Sequence, residues 1–295
     1  MIILALLSPG AAALAQDPVE VPLTRVQGRW LSVPVLVNGQ GPFPFVIDTA
    51  ASNTILFSSS QEILALPQQG EVEATVIFSL EERTLKVHRL ESLSLAGLER
   101  RDLRTVIVPD FFVVASSRPA GLLGMDFLSR YFVTFDLEAM VLSVGTRRAR
   151  RFDGVWTSAR LNRVNIDHLE AELFAVDFII NGRPFRGLVD TGANSSFLNQ
   201  SAARSLGAVP PPFMRKQGDL TDVIGKRRTV YRVILESMKL GRKRWASPKF
   251  TVQDLKIFTY LNQDFRRAAI LGMDLLGTQS FAADFPGRRL WIKRR

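Results

Sequence analysis

The chain has 295 residues, with 38 Lys and Arg against 28 Asp and Glu, two histidines and no cysteine. This length can bury a sizeable core and, at roughly 100–200 residues per domain, suits two domains. Without cysteine there are no disulfides, thiol nucleophiles or thiolate metal ligands, and the isolated His88 and His168 offer little material for a histidine metal site or a Ser-His-Asp triad.

The net charge of +10 is lopsided. Residues 1–148 hold 12 basic and 15 acidic residues, whereas residues 149–295 hold 26 and 13. A positive second half can draw in acidic peptides, an anionic membrane surface or nucleic acid. Its basic residues are scattered and little interleaved with aromatics, which favours a solvated surface over a nucleic-acid stacking platform.

The first stretch, Met1 to Leu7 and on to Ala13-Leu14-Ala15, is apolar, uncharged and ends in an Ala-x-Ala pattern before Gln16. It resembles a secretory signal peptide over residues 1–15, although it lacks the basic start of one. It is shorter than the about 20 apolar residues that span a bilayer, and no other uninterrupted apolar run reaches that length. A periplasmic or secreted setting is expected, with an uncleaved N-terminal membrane anchor as the alternative.

Trp30 to Val37 is apolar and β-branched enough for a strand, Asn38-Gly39 signals a hairpin turn, and Phe43 to Ile47 returns and delivers Asp48. The order repeats with its aspartate 142 residues later: strand Ala175 to Ile180, turn Asn181-Gly182, strand Phe185 to Val189, then Asp190. Short helices are predicted after each copy, Gln61 to Leu66 capped by Ser60 and Gln200 to Leu206 capped by Asn199 with Gly207 as the stop. Hairpins follow in Glu73 to Phe78 with Leu85 to Val87, and in Thr229 to Leu235.

A second repeated element closes each half. Gly121-Leu122-Leu123-Gly124-Met125-Asp126-Phe127-Leu128 matches Ala269-Ile270-Leu271-Gly272-Met273-Asp274-Leu275-Leu276, and strands around Phe132 to Asp136 and Phe281 to Phe285 come behind. A duplicated lobe accounts for nearly all of the chain past the leader. The expected division is an N-terminal lobe over 16–146, a basic linker over 147–160 containing Arg147-Arg148-Ala149-Arg150-Arg151, and a C-terminal lobe over 161–295.

An apolar-apolar-Asp-Thr-Gly/Ala-Ala motif, a hairpin region and an apolar-apolar-Gly-x-Asp-apolar-Leu segment form the pattern of the retropepsin-like aspartic proteases. The chain resembles a bacterial periplasmic member carrying both copies, over most of residues 28–292. The resemblance implies an all-β fold of two tandem β-barrel lobes with short helices, packed pseudo-symmetrically as in pepsin. It implies an endopeptidase acting on a protein or peptide substrate, without cofactor or metal and without nucleic acid, as a monomer whose lobes pair within the chain. Peripheral contact of the basic second lobe with an anionic membrane is a further possibility.

In that family Asp48 and Asp190 would be the catalytic pair. Peptide hydrolysis without a metal or nucleophilic side chain needs a base to activate water and an acid for the leaving amide. Two carboxylates about 3 Å apart cannot both ionise cheaply, so one keeps a proton and the pair supplies both functions; the aspartic-protease dyad is the standing example. Thr49 and Thr191 would hydrogen-bond across the lobe junction. Gly124 and Gly272 would thread a packing segment beside the catalytic loops, with Asp126 and Asp274 as structural caps or surface groups. Gly192 fits the pattern, whereas Ala50 departs from it; if a left-handed backbone is required there, alanine is strained by about 1 kcal/mol or more. The result would be a reshaped cleft or an inactive, protease-like binding module. Ala51 and Ala193 replace the Ser or Thr whose hydroxyl bonds a catalytic carboxylate in pepsins, which would raise the acid's pKa and move the optimum toward about pH 5–7. Flaps are expected from Gly70 to Val87 and from Gly218 to Tyr231, with Gly225 at a tip.

Overall fold

The computed structural model describes residues 17–27, 30–64, 66, 68–77, 82–110, 118–148, 152–164, 172–208, 218–221, 227–260 and 266–294. The expected signal peptide and the expected flap tip at Gly225 lie outside them. In the first half the elements are β1 (Val19–Pro22), β2 (Thr24–Val26), β3 (Trp30–Val37), β4 (Gln40–Ile47), β5 (Ile55–Phe57), α1 (Ser58–Leu64), β6 (Gln68–Ile77) and β7 (Glu82–Leu95). They continue as β8 (Leu98–Val108), β9 (Gly121–Leu123), α2 (Met125–Leu128), β10 (Phe132–Asp136) and β11 (Val141–Gly145).

The second half opens with β12 (Trp156–Val164), β13 (Leu173–Ile180), β14 (Arg183–Val189), β15 (Phe197–Leu198), α3 (Gln200–Ser205), β16 (Gly218–Thr221) and β17 (Arg227–Ile234). It ends with β18 (Ser237–Leu240), β19 (Lys243–Ala246), β20 (Lys249–Val252), a 3-10 turn (Lys256–Thr259), β21 (Ala268–Leu271), α4 (Met273–Leu276), β22 (Phe281–Asp284) and β23 (Arg289–Lys293).

Two tight hairpins start the lobes. Asn38 (φ 49°) with Gly39 (φ 74°), and Asn181 (φ 47°) with Gly182 (φ 76°), take the paired left-handed conformations that match strand twist, and β3–β4 and β13–β14 zip from them. In the first lobe the order β2-β3-β4-β9-β5-β8-β7-β6 is closed by a further β3–β7 pairing, Leu36 opposite Ser94 and Val37 opposite Leu93. The second lobe runs β12-β13-β14-β21-β15-β20-β17-β16, with β18 pairing both β13 and β19.

Between the lobes lies a shared layer, β1-β11-β10-β22-β23-β12. Its centre is the antiparallel β10–β22 pair, where Phe135 faces Phe281 and their rings stack with centroids 4.3 Å apart. Both rings are buried, and one continuous apolar core runs through both lobes. Fully burying such a side chain contributes about 1.5–3 kcal/mol, so this junction binds the halves into one unit.

Two expectations need correction. Residues 156–160 of the expected linker are strand: β12 pairs Trp156 with Lys293 through Arg160 with Arg289, then runs on to pair with β13. The arginine cluster marks a boundary, but Thr157 and Leu161 behind it are buried on one face of the strand. Phe152 stacks on Trp156 at 4.1 Å, and the Arg148 guanidinium sits 4.4 Å from the Trp291 ring centroid, so both described ends of the linker are tied to the shared layer. Helix α1 also begins before Ser60. Its start is capped by Asp110, whose carboxylate accepts from the Ser59 N–H and from the Ser58 and Ser59 hydroxyls, while Ser60 turns inward and donates to the Ala120 carbonyl. Asn199 caps α3 as expected, accepting from the Ala202 N–H at 2.8 Å.

Candidate active site

Each catalytic-type aspartate stands where a central strand leaves its sheet. β4 runs parallel to β9 and β14 parallel to β21, and the ladders continue one step further: the Asp48 N–H donates to Leu123 O and the Asp190 N–H to Leu271 O, both at 3.0 Å. The loops are pinned again beyond the aspartates, by Met125 N–H to Ala51 O and Met273 N–H to Ala193 O, both at 2.8 Å. The second repeat therefore holds the first in place in both lobes.

Close approach explains why glycine leads that segment. A Cβ on Gly124 would lie 2.5 Å from the Asn53 carbonyl, and one on Gly272 would lie 2.6 Å from the Ser195 carbonyl.

The threonines lock the loops to one another. The Thr49 N–H donates to Thr191 Oγ1 at 3.2 Å and the Thr191 N–H to Thr49 Oγ1 at 3.1 Å. Each hydroxyl then donates across the junction, Thr49 to Val189 O and Thr191 to Ile47 O, both at 2.7 Å. Both threonines are buried, so four groups that could not otherwise reach water are satisfied by two side chains.

This lock brings Asp48 and Asp190 together. Asp48 Oδ1 accepts from the N–H groups of Ala50 at 2.9 Å and Ala51 at 3.1 Å, and Asp190 Oδ1 from that of Ala193 at 2.8 Å. Burial pushes the Asp48 carboxyl above the ordinary carboxylate range, against the pull of the two amides. Burial pushes Asp190 further, the charge of Asp48 adds to the rise, and the amides of Ala193 and Gly192 oppose it. The two groups titrate as a pair in which one proton is retained well above the pH of a free carboxyl. Among the described residues no hydroxyl donates to either carboxylate, consistent with alanine at 51 and 193.

Ala50 and Gly192 differ for a reason other than the expected one. Neither has a positive φ, so the backbone makes no demand for glycine at 50 and Ala50 carries no left-handed strain. The demand at 192 is steric: a Cβ there would lie 2.5 Å from Cγ and Oδ2 of Asp48.

A family model described as aspartyl protease matches residues 33–127 and 176–275, one copy per lobe. The chain belongs to the aspartyl protease family. Among solved structures it is similar to the crystal structure of the aspartic proteinase from Irpex lacteus, at 14% identity and a TM-score of 0.54, covering 93% of this chain and 96% of that one. That likeness extends to the fold. No curated protein matches the chain significantly.

Within this aspartyl protease three supporting groups escape a reading of the motifs alone. The Trp30 indole N–H reaches across the junction to the Gly192 carbonyl at 2.8 Å. Thr54 and Ser196 link the repeats: the Gly124 N–H donates to Thr54 Oγ1 at 3.2 Å, and that hydroxyl donates to Asp126 at 2.8 Å. In the second lobe the Gly272 N–H donates to Ser196 Oγ at 2.9 Å, and Ser196 donates to Asp274 at 2.6 Å. Asp126 and Asp274 are thus braces of the packing segment. A hydroxyl at the same place in both repeats, 142 residues apart like the aspartates, was the signal for this pair. Trp30 has no such twin, since Leu173 stands at the equivalent place in the second hairpin.

The hairpins expected as flaps are present as β6–β7 and β16–β17. Among the described residues no group of three or more His, Asp or Glu could hold a metal ion, and no helix is long and apolar enough to cross a membrane.

Proposed function

We propose that the protein is an endopeptidase of the cell envelope in which Asp48 and Asp190 share one proton and activate a water. The ionised carboxylate takes a proton from the water as its oxygen attacks the scissile carbonyl carbon, while the protonated carboxyl donates to the carbonyl oxygen. In the collapse of the resulting diol the protonated carboxyl donates to the amide nitrogen as the C–N bond breaks, while the other carboxylate takes the proton of one diol hydroxyl, so the pair is left with one proton again. Neither residue alone is assigned the acid, because the proton belongs to the pair.

The observation that supports this reading most is geometric: one aspartate at the end of a central strand in each lobe, brought together by reciprocal threonine bonds, where burial raises the pKa of both. A reactive pair is expected to carry that perturbation, whereas a surface-bonded scaffold has no use for it. The envelope setting rests on the apolar leader at residues 1–15.

Cleavage of a peptide library by the wild type, Asp48→Asn and Asp190→Asn tests the proposal. Loss of cleavage in both variants with native folding is expected. Unchanged cleavage in both would overturn the enzymatic reading and leave a peptide-binding module, the one alternative that Ala50 first suggested.

A further inference from the structure

Beside the second-lobe loop lies a cavity of about 340 Å³ lined by Arg25, Asn194, Ser195, Arg232, Met273, Asp274 and Gly277. Arg25 comes from β2 of the first lobe, Arg232 from β17 of the second, and Asn194 and Ser195 directly follow Ala193, whose N–H holds Asp190. The cavity therefore spans the lobe junction a few residues from the reacting carboxyls.

Its charge is unbalanced. Arg186 and Arg163 are held by Asp177 and Glu172, whereas neither Arg25 nor Arg232 makes an ion pair or hydrogen bond among the described residues. The single acid in the lining, Asp274, is turned to the Ser196 hydroxyl and neighbouring amides, and burial raises its pKa toward the neutral form. Two arginines from opposite lobes thus line one space whose single acid is engaged elsewhere. Guanidinium forks suit a carboxylate held by paired hydrogen bonds.

We infer that this cavity is a substrate subsite for a carboxylate, supplied by an acidic side chain or by the C-terminus of the peptide, held between Arg25 and Arg232. The inference rests on the endopeptidase reading for its setting, while the binding itself does not require cleavage. The positive field of residues 149–295 would steer the same substrates toward the cleft.

The test uses full-length Asp190→Asn protein and equilibrium binding of peptides built on one neutral sequence. In one set, C-terminally amidated, a single Glu is walked along the chain against a Gln control; in the other, all side chains are neutral and the C-terminus is a free acid or an amide. One register of Glu, or the free acid, is expected to bind about tenfold more tightly than its neutral control, as for a charge-assisted paired contact. That ratio should collapse toward one in Arg25→Ala/Arg232→Ala, survive in part in the double Lys variant, and shrink with added salt. Preference in the Glu set identifies a side-chain subsite, and preference in the free-acid set a terminal one. A ratio near one for every peptide, or a ratio unchanged in the double alanine variant, overturns the inference. Wild-type cleavage of the same peptides is read separately: if none is cut, the endopeptidase reading fails while the binding ratios still decide the subsite.

Discussion

At the floor of the cleft the first lobe carries Ala50 and the second carries Gly192, and the neighbours of these residues differ. The Asp48 carboxyl occupies the space a side chain at 192 would need, whereas position 50 accommodates a methyl without positive φ. A similar exchange recurs one layer deeper. In the first lobe large Phe45 lies against Gly121, and in the second Gly187 lies against Ala269. A Cβ on Gly121 would lie 2.1 Å from the Ile55 carbonyl oxygen and 2.7 Å from the Phe45 ring, whereas one on Gly187 would lie 3.0 Å from the Phe178 ring and 3.1 Å from the Ala269 side chain. The duplicated halves have kept their hydrogen-bond scaffold and redistributed volume around it, so equivalent positions are no longer interchangeable.

Mirror substitutions at 50 and 192 test this most severely. Gly192→Ala must displace the Asp48 carboxyl, and a misplacement of that order lowers kcat/KM by about a hundredfold or more. Ala50→Gly opens space where none is needed and is expected to change activity by a few-fold at most, with stability lower by about 0.5–1 kcal/mol from added chain entropy. Equal effects on cleavage from the two changes would mean that the lobes are functionally symmetric after all.

The threonine lock is where the lobes do behave alike. Thr191→Val leaves the Thr49 N–H and the Ile47 carbonyl buried without a partner and should destabilise the protein by about 2–4 kcal/mol. Thr49→Val strands the reciprocal pair and should destabilise it to a similar extent. Thr→Ser at either site should recover most of the loss. Chemical denaturation of the four variants measures both terms, and a loss confined to one lobe's threonine would break the symmetry claimed here.

Proton affinity is a property of the two carboxyls together. Both native pKa values lie above the unfolded value of about 4, so the folded state holds protons that the unfolded state releases. This contribution to stability is fully present below about pH 4 and is lost as pH rises through the native values. Asp190→Asn removes one of the two coupled carboxyls and with it the repulsion between them. The variant should therefore be more stable than the wild type at neutral pH, with the gap closing as the acid is approached. Asp48→Asn should show the same sign, because the proton belongs to the pair. Thermal melts from pH 4 to 8 read this directly, and maximal wild-type activity is expected at about pH 5–7 because no hydroxyl among the described residues donates to either carboxylate. An optimum near pH 2 would contradict the raised pair.

Much of this was legible in the chain because duplication writes each constraint twice. The Asp-Thr motifs, the Asn-Gly turns and the Gly-x-Asp segments recur at nearly fixed offsets, and local strand chemistry sufficed to place them. Contacts made between unlike positions were not legible. The β10–β22 pair joins segments whose sequences give no register for one another, and the start of β12 is masked by the arginine cluster before it. The role of Ala50 was misjudged because the pattern suggests a backbone requirement at both sites, whereas the actual constraint is a single carboxyl lying over one of them.

Trp30 offers the finest test of how far the asymmetry reaches. Its indole N–H bonds the Gly192 carbonyl at 2.8 Å, so the first lobe steadies the second-lobe loop. The position equivalent to Trp30 in the second hairpin is the buried aliphatic Leu173, and no indole can return the contact to the Ala50 loop. Trp30→Phe keeps the ring and removes the donor. It should lower stability by about 1 kcal/mol and leave the Gly192 carbonyl short of a partner. Because Gly192 sits under the Asp48 carboxyl, kcat should fall by a few-fold while KM changes little. A loss seen in KM alone would assign Trp30 to substrate contact, and no change in either would mean that the threonine lock alone sets the loop.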